Sequence, residues 1–342
     1  MMNTPSFTAV LSLICAFFGA WLATLLGMPA AALLGSTIIV SIMAFSGYKT
    51  TIPNWLKGIA FTTIGCSLGS SVTPDIFMQF SHWYISITAL ILSLISSMVV
   101  SSWVLRRFYG FDQNTALLAT SPGALSYSLS LSETTKSDVR AITILQGLRL
   151  LTITLGVPFL LDIFEQAGNF SDTLYVPNIG YIEACILMCV VFLAGSVANR
   201  YKLPAAHLIL GLLISGALHA TDTLAGKIPD EMLFIGFTIT GTVIGSRFSS
   251  FTKKEILSLS WASASVILLT TSLSAFASFI CAEFLNLPFG QVWVAFAPGG
   301  LEAMAAMALS LDFDPAYVAT HHIFRMLFLI LLLPLLLRKK GE

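Results

Sequence analysis

The chain has 342 residues, 56% of them hydrophobic and only 10% charged, with 17 basic and 17 acidic side chains and a formal net charge of zero. Its mean hydropathy of +0.87 lies far outside the range of a soluble globular domain. A neutral chain lacks the basic footprint of a nucleic-acid binder, and no helix-turn-helix or zinc-ligand spacing supplies one, so the sequence reads as an all-α polytopic membrane protein with no soluble domain attached.

Apolar segments suited to a hydrocarbon core ~30 Å thick recur from one end to the other. The first set is expected near 7–27, 30–46, 55–72, 82–105, 112–133 and 139–163. A second set follows near 181–198, 204–219, 232–248, 257–282, 289–310 and 316–337. The opening segment reads as a span, not a cleaved signal, because no Lys or Arg precedes it and apolar character resumes after Pro29. All five cysteines (Cys15, Cys66, Cys185, Cys189, Cys281) fall in apolar segments, where a free thiol packs as a small hydrophobe. Cys185 and Cys189 share a helix face, but two thiols with no nearby His make a poor metal site, and no cofactor is expected.

Six segments followed by six suggest duplication. A shift of 176 residues superposes Ile52-Pro53 on Ile228-Pro229, Gly65 and Gly69 on Gly241 and Gly245, and Pro122-Gly123 on Pro298-Gly299. Asp138, Arg149 and Pro158 fall on Asp314, Arg325 and Pro334 in the same register. Upstream the register slips by one residue, with Pro29 and Gly35 matching Pro204 and Gly211. The expected organisation is a first repeat over 1–165, a linker over 166–180 and a second repeat over 181–342.

Basic residues fix topology. If all twelve segments crossed, the loops would carry no charge bias. If the Pro-Gly segments 112–133 and 289–310 instead enter and leave on one side, each half has five spans. Lys49, Lys57, Arg106, Arg107, Lys136, Arg140, Arg200, Lys202, Arg247, Lys253, Lys254, Arg338, Lys339 and Lys340 then share one side, against Lys227 alone on the other. That bias favours two inverted repeats, each of about five spans plus one re-entrant or broken Pro-Gly hairpin, in an inner membrane with both termini cytoplasmic. Inverted repeats with broken elements near the midplane are a transporter design.

Non-helical backbone is tolerated inside a membrane only where protein or a water-filled cavity surrounds it. The tips Ser121-Pro122-Gly123 and Pro298-Gly299-Gly300 are therefore expected to meet, presenting half-helix N-termini that favour an anion. Arg149 and Arg325 each lie eleven residues beyond an Asp able to cap their helix, about 16 Å along it. A guanidinium at that depth needs a partner. Glu302 is the one carboxylate expected equally deep, so it is expected to neutralise one arginine and leave the other for an anion. The alternative is that both arginines hydrogen-bond carbonyls of the broken hairpins and hold their shape.

His321 and His322 precede Arg325 on its helix, Gln146 stands at the matching place before Arg149, and one of the histidines could relay a proton. Ser121 and Ser126 add hydroxyls at the first tip. The glycine pairs Gly65/Gly69 and Gly241/Gly245 allow close helix approach, within the subunit or at a homodimer interface.

The segments SPGALSYS…DVRAITILQGLRL and APGGLEAM…DPAYVATHHIFRMLFLILLLPLLL resemble the AbrB-type duplicated membrane proteins of Gram-negative bacteria, which are unrelated to the soluble DNA-binding AbrB of bacilli. The likeness covers nearly the whole chain. Its fuller motif is Pro298-Gly299-Gly300, Glu302, Asp314, His322 and Arg325; the first half departs from it with Ala124, Ser126 and Gln146. The resemblance implies regulators of gene expression or candidate ammonia monooxygenases, on a fold like that of cation/proton antiporters and anion transporters.

Secondary transport of a small, anionic solute by alternating access ranks first. A membrane sensor acting on transcription indirectly, through a partner, ranks second. An integral monooxygenase ranks third, because adjacent histidines point ~100° apart on a helix and only Glu302 stands near them; no enzyme is expected.

Overall fold

The computed structural model describes residues 5–71, 83–123, 125–165, 177–201, 203 and 205–337. Within its helices the side chains of residues 5–7, Ser126, Glu133, Thr134 and 162–165 are outside the description. So are most of the expected linker, Lys202, Pro204 and the basic residues Arg338, Lys339 and Lys340.

Helices α1 (Pro5–Leu25), α2 (Ala31–Phe45), α3 (Asn54–Gly69) and α4 (Tyr84–Tyr109) come first. The first expected hairpin follows as α5 (Gln113–Thr120) and α6 (Leu125–Thr135), then α7 (Val139–Glu165). After the linker come α8 (Tyr181–Arg200), α9 (Ala206–Ala220), α10 (Asp230–Ser246) and α11 (Lys253–Leu285). The second expected hairpin is α12 (Phe289–Phe296) and α13 (Leu301–Ser310), and the last helix is α14 (Pro315–Leu336). Among the described residues the only β feature is an isolated bridge between Asn178 and Lys227.

Seven described helices (α1, α4, α7, α8, α10 with the 3-10 turn Arg247–Ser250 that continues it, α11 and α14) are long and apolar enough to cross a membrane. Three segments expected as spans are shorter: α2 and α9 have 15 residues and α3 has 16, about 22–24 Å at 1.5 Å per residue. Turns set those limits, with left-handed Ala30 before α2 and left-handed Ala205 before α9. Left-handed backbone also recurs in the 176-residue register, at Gly110 and Asn286 and at Lys136 and Asp312.

The chain divides into two compact units, each drawing helices from both halves of the sequence. The first comprises 1–82, 155–250 and 305–317 and holds α1–α3 and α8–α10. Small residues bring its backbones together. A Cβ on Gly69 would stand 2.6 Å from the Gly216 nitrogen, and one on Gly245 would stand 2.9 Å from the Ser41 nitrogen. Gly65 lies against Leu208, and Gly241 against Leu33 and Ser36. The Ser215 hydroxyl donates to the Cys66 carbonyl (2.7 Å) and the Thr37 hydroxyl to the Gly241 carbonyl (3.3 Å). Both glycine pairs are thus spent on packing α3 against α9 and α10 against α2, inside the subunit.

The second unit comprises 83–154, 251–304 and 318–342. Its apolar core is built from Leu94, Met98 and Leu105 of α4, Leu118 of α5, Ile142 and Leu145 of α7, Val266 of α11, and Leu329 and Leu333 of α14. Both Pro-Gly stretches, both buried arginines and the paired histidines belong to it.

Candidate functional site

Each expected hairpin breaks where proline forbids the helix to continue. Asp112 caps α5 by accepting from the Thr115 nitrogen (3.2 Å). That helix ends at Thr120, and Ser121 is extended, as a residue before proline prefers. Pro122 follows, then Gly123 at φ +80°, a dihedral that suits glycine. In the second hairpin α12 ends at Phe296, Ala297 is extended before Pro298, and α13 begins at Leu301. A helix that stops this way leaves its last carbonyls without intrahelical partners.

The two arginines satisfy those carbonyls. Arg149 donates from Nη1 to the Thr120 carbonyl and from Nη2 to the Ser121 carbonyl, both at 3.0 Å. Arg325 donates from Nη1 to the Ala297 carbonyl (2.6 Å) and from Nη2 to the Gly299 carbonyl (2.7 Å). One helical turn earlier, Gln146 Nε2 donates to the Leu118 carbonyl (2.7 Å), while His322 Nε2 stands 2.9 Å from the Val294 carbonyl. Asp138 and Asp314 cap the starts of these helices, accepting from the nitrogens of Ala141 and of Ala316 and Tyr317. Both arginines are only 2% exposed, so the guanidinium fork holds a broken backbone in place in the interior.

The same bonds give the path of the first hairpin. The Asp138 nitrogen donates to the Thr115 hydroxyl (2.9 Å), Gln146 reaches Leu118, and Arg149 reaches Thr120 and Ser121. As α7 advances, its partners on α5 advance too, so the two helices run parallel. Between them α6 brings the chain back to the level where α5 began.

The two tips meet. A Cβ on Gly123 would stand 2.7 Å from Arg325 Nη2 and 3.3 Å from the Gly299 carbonyl oxygen, and one on Gly300 would stand 3.4 Å from Leu150. The Tyr127 hydroxyl ties α6 to the Ile330 carbonyl (3.0 Å). Beside the tips lies a crevice with room for about one water molecule, lined by Pro122, Pro298, Thr120 and Arg325 together with Ser93 and Ser97 of α4 and Thr270 and Ser274 of α11.

Glu302 departs from expectation. Among the described residues the one ion pair joins Arg140 to Glu255, and Glu302 neutralises neither buried arginine. Its half-buried carboxylate turns toward Gly300, where a Cβ would stand 3.6 Å from Oε2. Each guanidinium gives one N–H of each Nη to a carbonyl, and among the described residues the Nε atoms of Arg149 and Arg325 are buried with no hydrogen-bond partner. The positive charge at the tips therefore has no carboxylate against it among the described residues.

The remaining expected site residues separate. Ser121 is fully buried, and its hydroxyl donates to the Leu118 carbonyl (2.8 Å) and pairs with that of Ser128 (2.9 Å). Gly299 packs on Met304. Ser126 lies on α6 with its side chain outside the description. His322 is 1% exposed, and among the described residues its Nδ1 has no partner. His321 turns the other way, toward the Ser86 hydroxyl (2.8 Å) and the rings of Trp83 and Phe296. Sequence reasoning missed Ser93, Ser97, Thr270 and Ser274; the available signal was a pair of hydroxyls four residues apart, one face of an apolar helix.

A family model described as "Transition state regulatory protein AbrB" matches residues 1–71 and 33–340. The chain is 26% identical over 324 residues to the "Putative regulator AbrB" of Escherichia coli (strain K12), covering 91% of this chain and 90% of that protein. It is 25% identical over 351 residues to the "Uncharacterized protein YhjN" of Bacillus subtilis (strain 168), covering 92% of this chain and 88% of that one.

Proposed function

The chain belongs to the AbrB family, and we propose that this member is a secondary transporter that moves a small anion by alternating access. One observation carries the reading: two buried guanidiniums stand at the meeting point of two broken helices with no carboxylate among the described residues paired to either. A carboxylate-free pair of positive charges deep in a bundle is costly unless an anion offsets it. Serine and threonine hydroxyls line the crevice, and those of Thr120, Thr270 and Ser274, which donate to carbonyls of their own helices, would turn from those bonds to serve an oxyanion. A cation carrier would call for acidic or carbonyl ligands turned into the crevice instead.

The same reading takes the two halves as inverted repeats and the Pro-Gly hairpins as re-entrant, in an inner membrane with both termini cytoplasmic. The recurrence of left-handed backbone at Gly110/Asn286 and Lys136/Asp312 supports the duplication. The parallel course of α5 and α7 supports a hairpin that leaves on the side it entered. Uptake and efflux in right-side-out and inverted vesicles test the proposal. Fluxes indifferent to both Arg149→Ala and Arg325→Ala would remove it.

A second reading, regulation of gene expression from the membrane, is favoured by the name of the Escherichia coli relative. Such a protein would act through a bound partner, and co-purification of the full chain from membranes with no regulatory protein would count against it.

A further inference from the structure

We infer that anion movement is coupled to a proton carried on Nδ1 of His322, a coupling site present in the second half of the chain and lacking in the first. The inference rests on the transport reading. His322 Nε2 faces the Val294 carbonyl at 2.9 Å, and a carbonyl only accepts, so Nε2 carries the hydrogen and Nδ1 of the neutral ring carries the lone pair. Among the described residues that lone pair is buried with no partner, an unusual state for a polar atom in a protein interior. A basic atom held open in this way is equipped to take a proton.

The counterpart in the first half separates structure from chemistry. Gln146 makes the equivalent bond, Nε2 to the Leu118 carbonyl at 2.7 Å, with no titratable atom. If bracing the broken helix were the whole task, an amide would serve at both places. His322 adds to that brace a site for a proton.

Coulomb interaction then links proton and anion. The charged and titratable groups bearing on His322 are Arg325 and His321 of its own helix, with Arg149 of α7 acting in turn on Arg325. Helices α5 and α12 carry no ionisable side chain. The nearest part of α4 presents the Ser86 hydroxyl to His321, and α13 contributes Glu302 beside Gly300. Arg325, which lines the crevice one turn from His322, opposes a second positive charge there. An anion seated against Arg325 offsets that opposition, and by reciprocity a proton on His322 tightens the anion. The proton joins Nδ1 from the side on which the anion enters and leaves to the other side with it, so the two travel together.

Proteoliposomes loaded in parallel with radiolabelled sulfate, inorganic phosphate or succinate test this by two readouts. Counterflow exchange at equal pH requires the anion site; accumulation driven by an acid outer bath, with a trapped pH dye reporting proton entry, requires the coupling. Wild type is expected to accumulate at least one probe several-fold above equilibrium and to acidify the lumen. His322→Gln is expected to show counterflow yet to accumulate no further than equilibrium, with no dye response to the anion. Accumulation by His322→Gln in the wild-type proportion to its own exchange overturns the proton role and leaves transport standing. Failure of wild type to exchange any of the three probes overturns both readings. Should His322→Gln be inert while wild type exchanges, ¹⁵N-histidine NMR of wild type in lipid decides. An Nδ1 resonance that becomes protonated on adding the exchanged probe supports the inference, and one indifferent to it overturns it.

Discussion

The backbone of Gly123 lies so close to the guanidinium of Arg325 that a Cβ on the glycine would stand 2.7 Å from Nη2. This contact joins the tip of one hairpin to the arginine that braces the other. Gly123 also holds φ +80°, where an L side chain costs about 1–2 kcal/mol before any clash. Gly123→Ala therefore combines backbone strain with displacement of a buried cation. Gly110 provides the control, since it has φ +71° with nothing within 4 Å of an added Cβ. Thermal unfolding in detergent is expected to show a clearly larger loss for Gly123→Ala than for Gly110→Ala, and transport to fail in the first alone. Equal losses in the two variants would mean that the tip contact contributes nothing.

Replacing Arg149 or Arg325 by lysine tests the fork itself. Each guanidinium spans two carbonyls at once, which a single ammonium cannot do with the same geometry. One buried carbonyl left unpaired costs about 1–3 kcal/mol, so each Arg→Lys change is expected to destabilise by that order. If an anion also binds there, sulfate, phosphate or succinate should raise the wild-type unfolding temperature, because a ligand at 100 times its Kd stabilises by about 2.7 kcal/mol. Lysine variants should lose most of that protection. Protection undiminished in both would confine the arginines to bracing.

Much of this arrangement is legible in the sequence. The Pro-Gly breaks, the Asp caps eleven residues before each arginine, and the positions of the segments follow from local rules that act over a few residues. Glu302 shows where such rules stop. Charge-pairing logic assigns the only deep carboxylate to an arginine, yet the guanidiniums are satisfied by main-chain oxygens of the broken hairpins, the alternative that the sequence left open beside it. Ser93, Ser97, Thr270 and Ser274 were hidden for a different reason: a hydroxyl four residues from another is common in membrane helices, and only the packing of α4 and α11 around the tips shows which hydroxyls share a crevice. The lengths of α2, α3 and α9 depend on turns as well as on hydropathy, so apolar runs overstated them.

The glycine pairs lead to a prediction about assembly. Because Gly69 approaches the Gly216 nitrogen to 2.6 Å from an added Cβ, Gly69→Val forces α3 and α9 apart. Overpacking of this kind typically costs about 1–3 kcal/mol. The variant is expected to unfold at lower temperature while keeping the wild-type molecular mass in detergent, as measured by light scattering. A change of mass with unaltered stability would move the glycines to an interface between copies.

Topology provides the broadest check, because the inverted arrangement and the re-entrant hairpins make one joint prediction. Lys136 and Asp312 occupy matching left-handed positions after α6 and α13, and both are exposed. If each hairpin leaves on the side it entered and each half has an odd number of spans, these residues lie on opposite faces of the membrane. The basic loops then put Lys136 in the cytoplasm. Crossing segments would give each half six spans and put both residues on the same face. Single cysteines at the two positions, in a chain freed of its five native thiols, can be labelled with a membrane-impermeant maleimide in intact cells. Labelling of Asp312→Cys before lysis and of Lys136→Cys only after it is the expected pattern. The reverse pattern would put both termini outside, and labelling of both from one side would exclude the re-entrant hairpins and, with them, the inversion. With the inversion, alternating access built on two opposed halves would lose its structural basis.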